Sequence, residues 1–247
     1  MEKILITGGS GYQASFIINR LKEKYEITLT DRIEPKVEYN DLKFIKGDIA
    51  NFDDVKKACT GQDAVVHLVA LVRERFGMPH SSFADVMVKG VWNVAEACVQ
   101  CGVKKLVNIS SVCASWPTDA SKPYLVGEPA GFGGADMFYG MSKHLGEEIT
   151  RIYHQGRGLA VINLRPVMIA GDGLNAEPSK PVNASPYWFL HVHPEDVAQA
   201  VELAIENREI GFGTFHVASN HPATLFDIKE TKMKLGYQPK HNWEDLK

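Results

Sequence analysis

The stretch "ITGGSGYQA", residues 6–14, decides the fold because a glycine-rich turn joins an apolar strand to an amphipathic helix. Gly8, Gly11 and Ala14 follow a G-x-x-G-x-x-A spacing directly after the predicted strand "KILIT". Glycine lets a backbone approach a pyrophosphate closely, and the N-terminus of the next helix offers unpaired N–H groups and a positive dipole end. Many strand-to-helix turns contain glycine, but this position between strand and helix predicts a dinucleotide-binding turn.

Asp31 closes the second predicted strand, "YEITLTD", twenty residues after Gly11. A carboxylate at this place can accept hydrogen bonds from a ribose diol and repels a 2′-phosphate, so it favours NAD over NADP. The neighbouring Arg32 weakens that preference, since a guanidinium can pair with a phosphate. The alternative is that Asp31 is only a turn residue at a strand end.

Short apolar runs alternate with longer amphipathic segments along most of the 247 residues, the pattern of a parallel sheet covered by helices. Hydrophobic residues make up 45% of the chain, enough to bury a large core. The predicted strands span residues 3–7, 25–31, 42–48, 63–71, 104–111, 159–166 and 213–219, and the predicted helices include 10–24, 51–59, 80–102, 194–209 and 225–236. We expect an α/β protein with a doubly wound, Rossmann-like parallel sheet. Its dinucleotide-binding core spans residues 1–165, and a small C-terminal substrate lobe, 166–247, partly folds back onto it to form one compact unit.

The charge and composition of the chain exclude some classes of binding partner. The net charge is −3 without acidic or basic blocks, so the footprint of a nucleic-acid or anionic-membrane binder is missing. No apolar run has membrane-spanning length and the N-terminus enters a strand directly, so we expect a cytoplasmic protein. Four cysteines fit a reducing compartment, and the CxxC of Cys98 and Cys101 is interpreted as buried free thiols.

Seven short motifs in a fixed order resemble the extended short-chain dehydrogenase/reductase family, the NAD-dependent epimerases and dehydratases that act mostly on sugars. The motifs are "TGGSGYQA" (7–14), "GDI" (47–49), "HLVAL" (67–71), "SSVCASW" (110–116), "YGMSK" (139–143), "LRPVMI" (164–169) and "LHVHPEDVA" (190–198). Ala14 replaces the third glycine of the family's first motif. The resemblance implies an enzyme with an NAD cofactor and a homodimer formed through the helix of Trp92 and the helix of Tyr139.

The resemblance also implies which residues contact NAD. The Asp48 side chain and the Ile49 backbone hold the adenine base, and the "LRPVMI" segment lies beside the nicotinamide. The full implied set is Gly8, Ser10, Gly11, Tyr12, Gln13, Asp31, Arg32, Asp48, Ile49, Leu68, Val69, Ala70, Tyr139, Lys143, Pro166 and Met168.

Tyr139 precedes Lys143 by four positions in a predicted helix, so both side chains lie on one helix face. The same spacing is found in ordinary solvated Tyr/Lys pairs. The strand end "NISS", residues 108–111, favours a catalytic pair, because the fold brings it to the same edge of the sheet. Strand alternation lets either Ser110 or Ser111 face the site, and alignment with the family segment favours Ser111.

Alcohol oxidation explains why these residue types occur together. It removes a hydride and a proton, and a phenol with a pKa near ~10 is a poor base at neutral pH. Lowering that pKa by about 3 units takes roughly 4 kcal/mol, much of which a nearby ammonium can supply. The hypothesis is that Tyr139 is the general base, Lys143 lowers its pKa and binds the nicotinamide ribose, and Ser111 positions the substrate oxygen.

Departures from the family's motifs argue against some of the reactions that the family catalyses. Dehydratases carry an Asp-Glu pair after the catalytic serine or threonine, and related decarboxylases carry a glutamate there, whereas this chain has Val112 and Cys113. Only 82 residues follow Arg165, which suggests a smaller substrate than a nucleotide-sugar. The chain is similar in size to uronate dehydrogenases, but those carry Asn-His after the serine, so their substrate cannot be transferred.

Other candidate residues have ordinary alternatives. Arg73 and Arg75 follow a predicted strand and either bind a substrate anion or are solvated loop charges. Cys113 is a possible substrate contact. His191 and His193 have a spacing compatible with a metal pair, but no neighbouring Cys, Asp or Glu completes a convincing site, so we interpret them as structural and expect no metal.

The sequence therefore predicts an NAD-dependent oxidoreductase that transfers hydride between NAD and a hydroxyl of a small sugar-type substrate, a sugar or sugar acid. The first alternative is a nucleotide-sugar epimerase with tightly bound NAD. The second is a non-catalytic dinucleotide-binding redox regulator, a class in which the tyrosine tends to be lost. The substrate and its stereochemistry are not specified by the sequence.

Overall fold

The structure is a computed structural model. It describes residues 1–35, 39, 42–71, 79, 81–117, 126, 130–131, 137–170 and 191–242. Among these residues no helix is both long enough and apolar enough to span a bilayer.

Seven strands form one parallel sheet. They are β1 (Lys3–Thr7), β2 (Glu26–Asp31), β3 (Lys43–Lys46), β4 (Ala64–His67), β5 (Lys105–Ile109), β8 (Ala160–Pro166) and β11 (Phe212–Val217). The order across the sheet is β11-β8-β5-β4-β1-β2-β3, so the chain runs outward from β1 in one direction and returns through β4 in the other. This order confirms the predicted doubly wound fold class. Two short pairs join β6 (Trp116–Pro117) to β7 (Ala130–Gly131) and β9 (Met168–Ile169) to β10 (His191–Val192).

Helices cover both faces of the sheet. They are α1 (Tyr12–Leu21), α2 (Phe52–Cys59), α3 (Lys89–Cys101), α4 (Met137–Arg157), α5 (Pro194–Glu206) and α6 (Lys229–Leu235). The apolar sides of α1 and α5 pack in one buried cluster, and those of α2 and α3 pack in a second cluster on the other face. Strands buried from both sides explain why they appear as continuous apolar runs in the sequence.

Local signals account for several helix boundaries. The Asn51 side chain accepts hydrogen bonds from the backbone N–H groups of Asp53 (3.0 Å) and Asp54, so it caps α2, and asparagine is among the residues preferred at this position. Pro194 begins α5, and the His193 side chain accepts from the N–H of Glu195. The predicted continuous helix 80–102 is interrupted, because Ala84–Val88 forms a π-helical turn before α3.

The predicted strand 63–71 is too long, since β4 ends at His67 and the next residues leave the sheet. After residue 165, β11 adds a seventh strand beside β8, and α5 packs against α1. A separate substrate lobe over 166–247 stays a prediction, since residues 171–190 lie outside the described part of the chain.

Candidate active site at the carboxyl edge of the sheet

The glycine turn lies at the carboxyl end of β1. This is where the strand order reverses, because β2 lies on one side of β1 and β4 on the other. Gly8 has φ +71°, in the left-handed region that side chains rarely adopt. A Cβ there would lie 3.2 Å from the Val69 backbone nitrogen and 3.3 Å from the Leu68 carbonyl carbon. Gly11 caps α1 and donates its N–H to the Gly8 carbonyl at 3.0 Å. The turn therefore packs directly against the residues that follow β4.

Asp31 stands beside this turn and is oriented by backbone amides. Its Oδ2 accepts from the Ser10 N–H at 3.1 Å, and its Oδ1 accepts from the Arg32 N–H at 2.7 Å. The Ser10 hydroxyl donates to the Ile33 carbonyl at 2.5 Å. These bonds fix a carboxylate next to a helix N-terminus, the position from which a ribose diol is bound.

Asp48 and Ile49 form the next part of the edge. The exposed Asp48 carboxylate accepts from the Ala50 N–H at 2.9 Å, and the Arg32 guanidinium lies 4.0 Å from its Oδ2. The Ile49 carbonyl accepts from the Asn93 side chain at 2.9 Å. The structure thus places the Arg32 guanidinium, next in the chain to Asp31, near the Asp48 carboxylate.

Leu68, Val69 and Ala70 continue from β4 toward the tyrosine helix. The Leu68 N–H donates to the Thr7 carbonyl at 3.1 Å, which holds this segment beside β1. Ala70 packs in a small apolar cluster with the half-buried Tyr139 and with Leu71. Ala70, from the predicted cofactor-binding segment, and Tyr139, the predicted general base, therefore pack against the same apolar cluster.

Lys143 is buried beneath Tyr139. Its ammonium donates to the Ile109 carbonyl at 2.6 Å and lies 5.8 Å from the centre of the Tyr139 ring. Burial lowers the pKa of Lys143 to about 8, and the charge of Glu147 opposes that shift. Burial, with the Lys143 charge nearby, also lowers the pKa of His67 to about 3, so this histidine is neutral at physiological pH.

The two serines at the end of β5 have different partners. The Ser110 hydroxyl donates to Glu147 Oε1 at 2.5 Å, while Ser111 caps a short helical turn and its Oγ accepts from the Cys113 N–H at 3.1 Å. Ser110 is therefore engaged behind the lysine. This geometry favours Ser111 as the serine available to a substrate.

Glu147 and Arg165 are site residues that the sequence argument missed as a pair. Arg165 donates to both carboxylate oxygens of Glu147, from Nε at 2.8 Å and from Nη2 at 2.6 Å. Both side chains are buried. A signal existed, because Glu147 continues the four-residue spacing of Tyr139 and Lys143 along the same helix face.

The remaining predicted cofactor-binding residues lie on α1 and on the strands β8 and β9. The Tyr12 hydroxyl donates to the Ala170 carbonyl at 3.2 Å, and the Gln13 amide donates to the Pro194 carbonyl at 2.9 Å. Both therefore tie α1 to the chain that follows β8. Pro166 ends β8, and Met168 lies in β9 with an exposed side chain.

The predicted substrate contacts are described only in part. Arg73 and Arg75 lie outside the described residues. Cys113 is half-buried beside Ser111, and burial raises the pKa of its thiol, so the thiolate is disfavoured.

His193 has neighbours that the sequence spacing did not reveal. Ligand atoms of His193, Glu195 and His241 lie within 4.8 Å of one another. The two imidazole rings stack at 3.6 Å with 18° between their planes. Because the nitrogen lone pairs lie in the ring planes, this stacking places them in two nearly parallel planes, which is a poor geometry for binding one shared ion. Asp196 accepts from the backbone N–H of Lys240 and His241, which holds the C-terminal segment against α5.

Comparisons with known proteins agree with this architecture. Uronate dehydrogenase from Agrobacterium tumefaciens superposes with a TM-score of 0.83 at 22% identity, over 99% of this chain and 86% of that one. This likeness is one of fold.

Two full-length relatives are also similar in sequence. The uncharacterized protein YtbQ of Bacillus subtilis (strain 168) is 27% identical over 255 residues, which cover 100% of this chain and 97% of the relative. L-arabinose 1-dehydrogenase (NAD(P)(+)) of Haloferax volcanii is 25% identical over 256 residues, which cover 98% of each protein. The model of the NAD dependent epimerase/dehydratase family matches residues 4–193, and the chain therefore belongs to that family.

Proposed function

We propose that the protein is an NAD-dependent dehydrogenase that oxidises a hydroxyl group of a free sugar or sugar acid. The observation that carries this proposal is the buried Lys143 ammonium, held between the Ile109 carbonyl and the Tyr139 ring within the same strand-end cluster as Ser111. This arrangement suits removal of a hydroxyl proton.

The residues at the sheet edge fit a dinucleotide. A Cβ at Gly8 would crowd the Val69 backbone, so glycine is what lets this turn pack closely against the segment that follows β4 while its own backbone faces the N-terminus of α1. The N-terminus of α1 supplies N–H groups for the phosphates, and the Asp31 carboxylate accepts from the ribose hydroxyls. The exposed Arg32 leaves room for NADP as a weaker cofactor.

The chain's own residues handle the proton and the geometry. NAD, when bound, supplies the hydride acceptor, and the carbinol carbon becomes a carbonyl. Tyr139 accepts the hydroxyl proton as phenolate, which the nearby Lys143 ammonium favours. Lys143 binds the nicotinamide ribose, and Ser111 donates to the substrate oxygen and orients it. Pro166 and Met168 would flank the nicotinamide.

A curated relative supports a small substrate, a free sugar or sugar acid. The curated relative named L-arabinose 1-dehydrogenase has nearly the same length as this chain, and its name specifies a free sugar. Val112 and Cys113 offer no acid–base pair for eliminating water, which supports dehydrogenation. Arg73, Arg75 and Cys113 are the proposed substrate contacts.

Two copies of the chain associate through α3 and α4 in this proposal. Both helices expose large apolar side chains, with Trp92 58% exposed on α3 and Ile152 57% exposed on α4. Met141 and Leu145 extend this surface along α4. A cytoplasmic location is also part of the proposal and is supported by four cysteines that are all free thiols.

The test is to incubate the purified protein with NAD and a panel of aldoses and uronic acids while following NADH absorbance. NADH formation in proportion to a consumed sugar supports the dehydrogenase. Tightly retained NAD without net reduction, together with conversion of a nucleotide-sugar, would establish the epimerase alternative. Light scattering of wild type and Ile152→Glu tests the dimer, which the charge should split into monomers.

A further inference from the structure

Consecutive residues at the end of β5 each serve a different buried group. The Ile109 carbonyl accepts from the Lys143 ammonium at 2.6 Å. The Ser110 hydroxyl, one residue later, donates to the Glu147 carboxylate at 2.5 Å. Lys143 and Glu147 are one turn apart on α4, so the strand end anchors both of them from the same side.

Two further contacts hold Glu147, one on its carboxylate and one on its backbone. Arg165, at the end of β8, donates to both of its oxygens in a two-pronged contact. The Thr150 hydroxyl donates to the Glu147 backbone carbonyl at 2.8 Å, which stiffens this turn of the helix. With three donors on two oxygens, the carboxylate has one defined position one turn behind the lysine.

Stability alone is a weak reason for this buried pair. Removing two charges from water costs free energy that their attraction repays only in part, and apolar side chains of similar volume often serve as well. The pair instead lies next to the charged group on which the chemistry depends. We propose that Glu147, clamped by Arg165 and Ser110, is a positioning residue that holds the Lys143 ammonium charged and directed at the catalytic face.

Only the catalytic role of Glu147 rests on the proposed function; its effect on the pKa of Lys143 does not. The groups that face Lys143 are Glu147 and Tyr139 on its own helix, Cys113 after β5, His67 at the end of β4, and Arg165 behind Glu147. Burial lowers the pKa of Lys143, and the charge of Glu147 is the largest opposing influence. Without it, the ammonium would lose its proton at a lower pH.

The test follows Lys143 directly in the cofactor-free protein. Lysine is labelled with ¹³C at the ε-carbon, the Lys143 signal is assigned with Lys143→Met, and its chemical shift is titrated with pH. In Glu147→Gln the titration midpoint is expected to fall by about one pH unit. Glu148→Gln is the matched control, because the neighbouring Glu148 is half exposed and pairs with Arg151 at 2.7 Å. The control should leave the midpoint in place.

The same variants are then assayed with NAD and substrate. Removing a negative charge favours the deprotonated forms of both Lys143 and Tyr139, so both limbs of the kcat profile should shift to lower pH in Glu147→Gln. Glu147→Asp, which keeps the charge, should restore the alkaline limb. An unchanged Lys143 midpoint in folded Glu147→Gln would overturn the inference, even if the melting temperature fell.

A second variant covers failure to fold. Glu147→Gln combined with Arg165→Met removes both members of the buried ion pair, so the arginine is not left without its carboxylate, and the Lys143 midpoint should still fall, by a smaller amount. An unchanged midpoint in this variant also overturns the inference. If the midpoint falls but wild type oxidises no sugar, only the proposed function fails. If wild type forms NADH and the midpoint stays fixed, only the role of Glu147 fails.

Discussion

The two halves of the site at the carboxyl edge of the sheet consist of different chemical groups. Around Gly8 and Asp31 the site consists of backbone N–H groups, a left-handed glycine and a carboxylate fixed by amides. Around Lys143 and Glu147 it consists of ionised side chains buried in the protein. In the first half, the space around the backbone decides which substitutions are tolerated. In the second half, the charge of the buried side chains decides it. Substitutions that add a single atom should therefore damage the first half, and isosteric changes of charge should damage the second.

The largest effect is expected at the charged half, where Tyr139→Phe removes one hydroxyl group. Turnover should fall by about 1000-fold, because the proton acceptor is lost while the packing of the ring against the cluster of Leu71, Phe83 and Met87 is kept. NAD affinity, measured by calorimetry, should stay close to that of wild type. Tyr153→Phe is a suitable control, since that hydroxyl donates to Glu96 away from the edge. Equal turnover in Tyr139→Phe and wild type would remove the general base from the account.

At the backbone half, Gly8→Ala should weaken NAD binding by roughly 30-fold, because a side chain at positive φ is strained and crowds Val69. Gly61→Ala supplies a matched control. Gly61 has a similar φ of +76°, but no atom lies within 4 Å of an added Cβ. It should lose stability without losing affinity. Equal affinity losses in the two variants would show that strain alone, and not closeness to the cofactor, is responsible.

Asp31→Asn sharpens the role of the fixed carboxylate. Removing its charge should shift the ratio of NADP to NAD affinity by about tenfold toward NADP, since repulsion of a 2′-phosphate disappears and the exposed Arg32 remains. The dissociation constants of both cofactors measure this ratio. Asp53→Asn, in the first turn of α2, should not change it. A constant ratio in Asp31→Asn would mean that the carboxylate does not face the ribose.

A further effect concerns stability and has the opposite sign to the effect on function. Burial lowers the pKa of Lys143 from 10.5 to about 8, so its charged form costs folding free energy at neutral pH, at most roughly 3 kcal/mol. Lys143→Met should therefore raise the melting temperature by about 5 °C at pH 7 while turnover is lost. Between pH 8 and 10.5 the native ammonium deprotonates before the unfolded one, so wild type gains stability and the difference shrinks.

The control for this comparison is Lys57→Met on the exposed side of α2. At each pH of the same range it should melt close to wild type, because it keeps Lys143. A Lys143→Met variant that melts below wild type at pH 7 would contradict the cost assigned to the buried charge.

The features that could be predicted from the sequence are those with local signals. The glycine turn, the Asn51 cap and the Tyr139–Lys143 spacing each depend on residues close together in the chain, and the structure describes each of them in the expected element. The family, the fold class and the NAD-dependent enzyme class are confirmed by the family match and by the strand order.

Long-range contacts could not be predicted in the same way. Arg165 reaches Glu147 only because β8 lies beside β5, and His241 reaches His193 only because the C-terminal segment lies along α5. The end of β4 at His67 was also missed, since the apolar run continues for several residues after the chain leaves the sheet. Apolar character predicts burial, but it does not distinguish a strand from a buried segment that lines a cleft.

A crystal structure of the protein with NAD and a slowly oxidised substrate analogue tests the central claim most directly. The account predicts the pyrophosphate at Gly8 and Gly11, the adenosine ribose on Asp31, and the nicotinamide between Pro166 and the Tyr139 hydroxyl. In that structure Ser111 and Tyr139 should both lie within hydrogen-bonding distance of the substrate oxygen. A nicotinamide bound away from Lys143, or a Tyr139 hydroxyl that points away from the substrate, would contradict it.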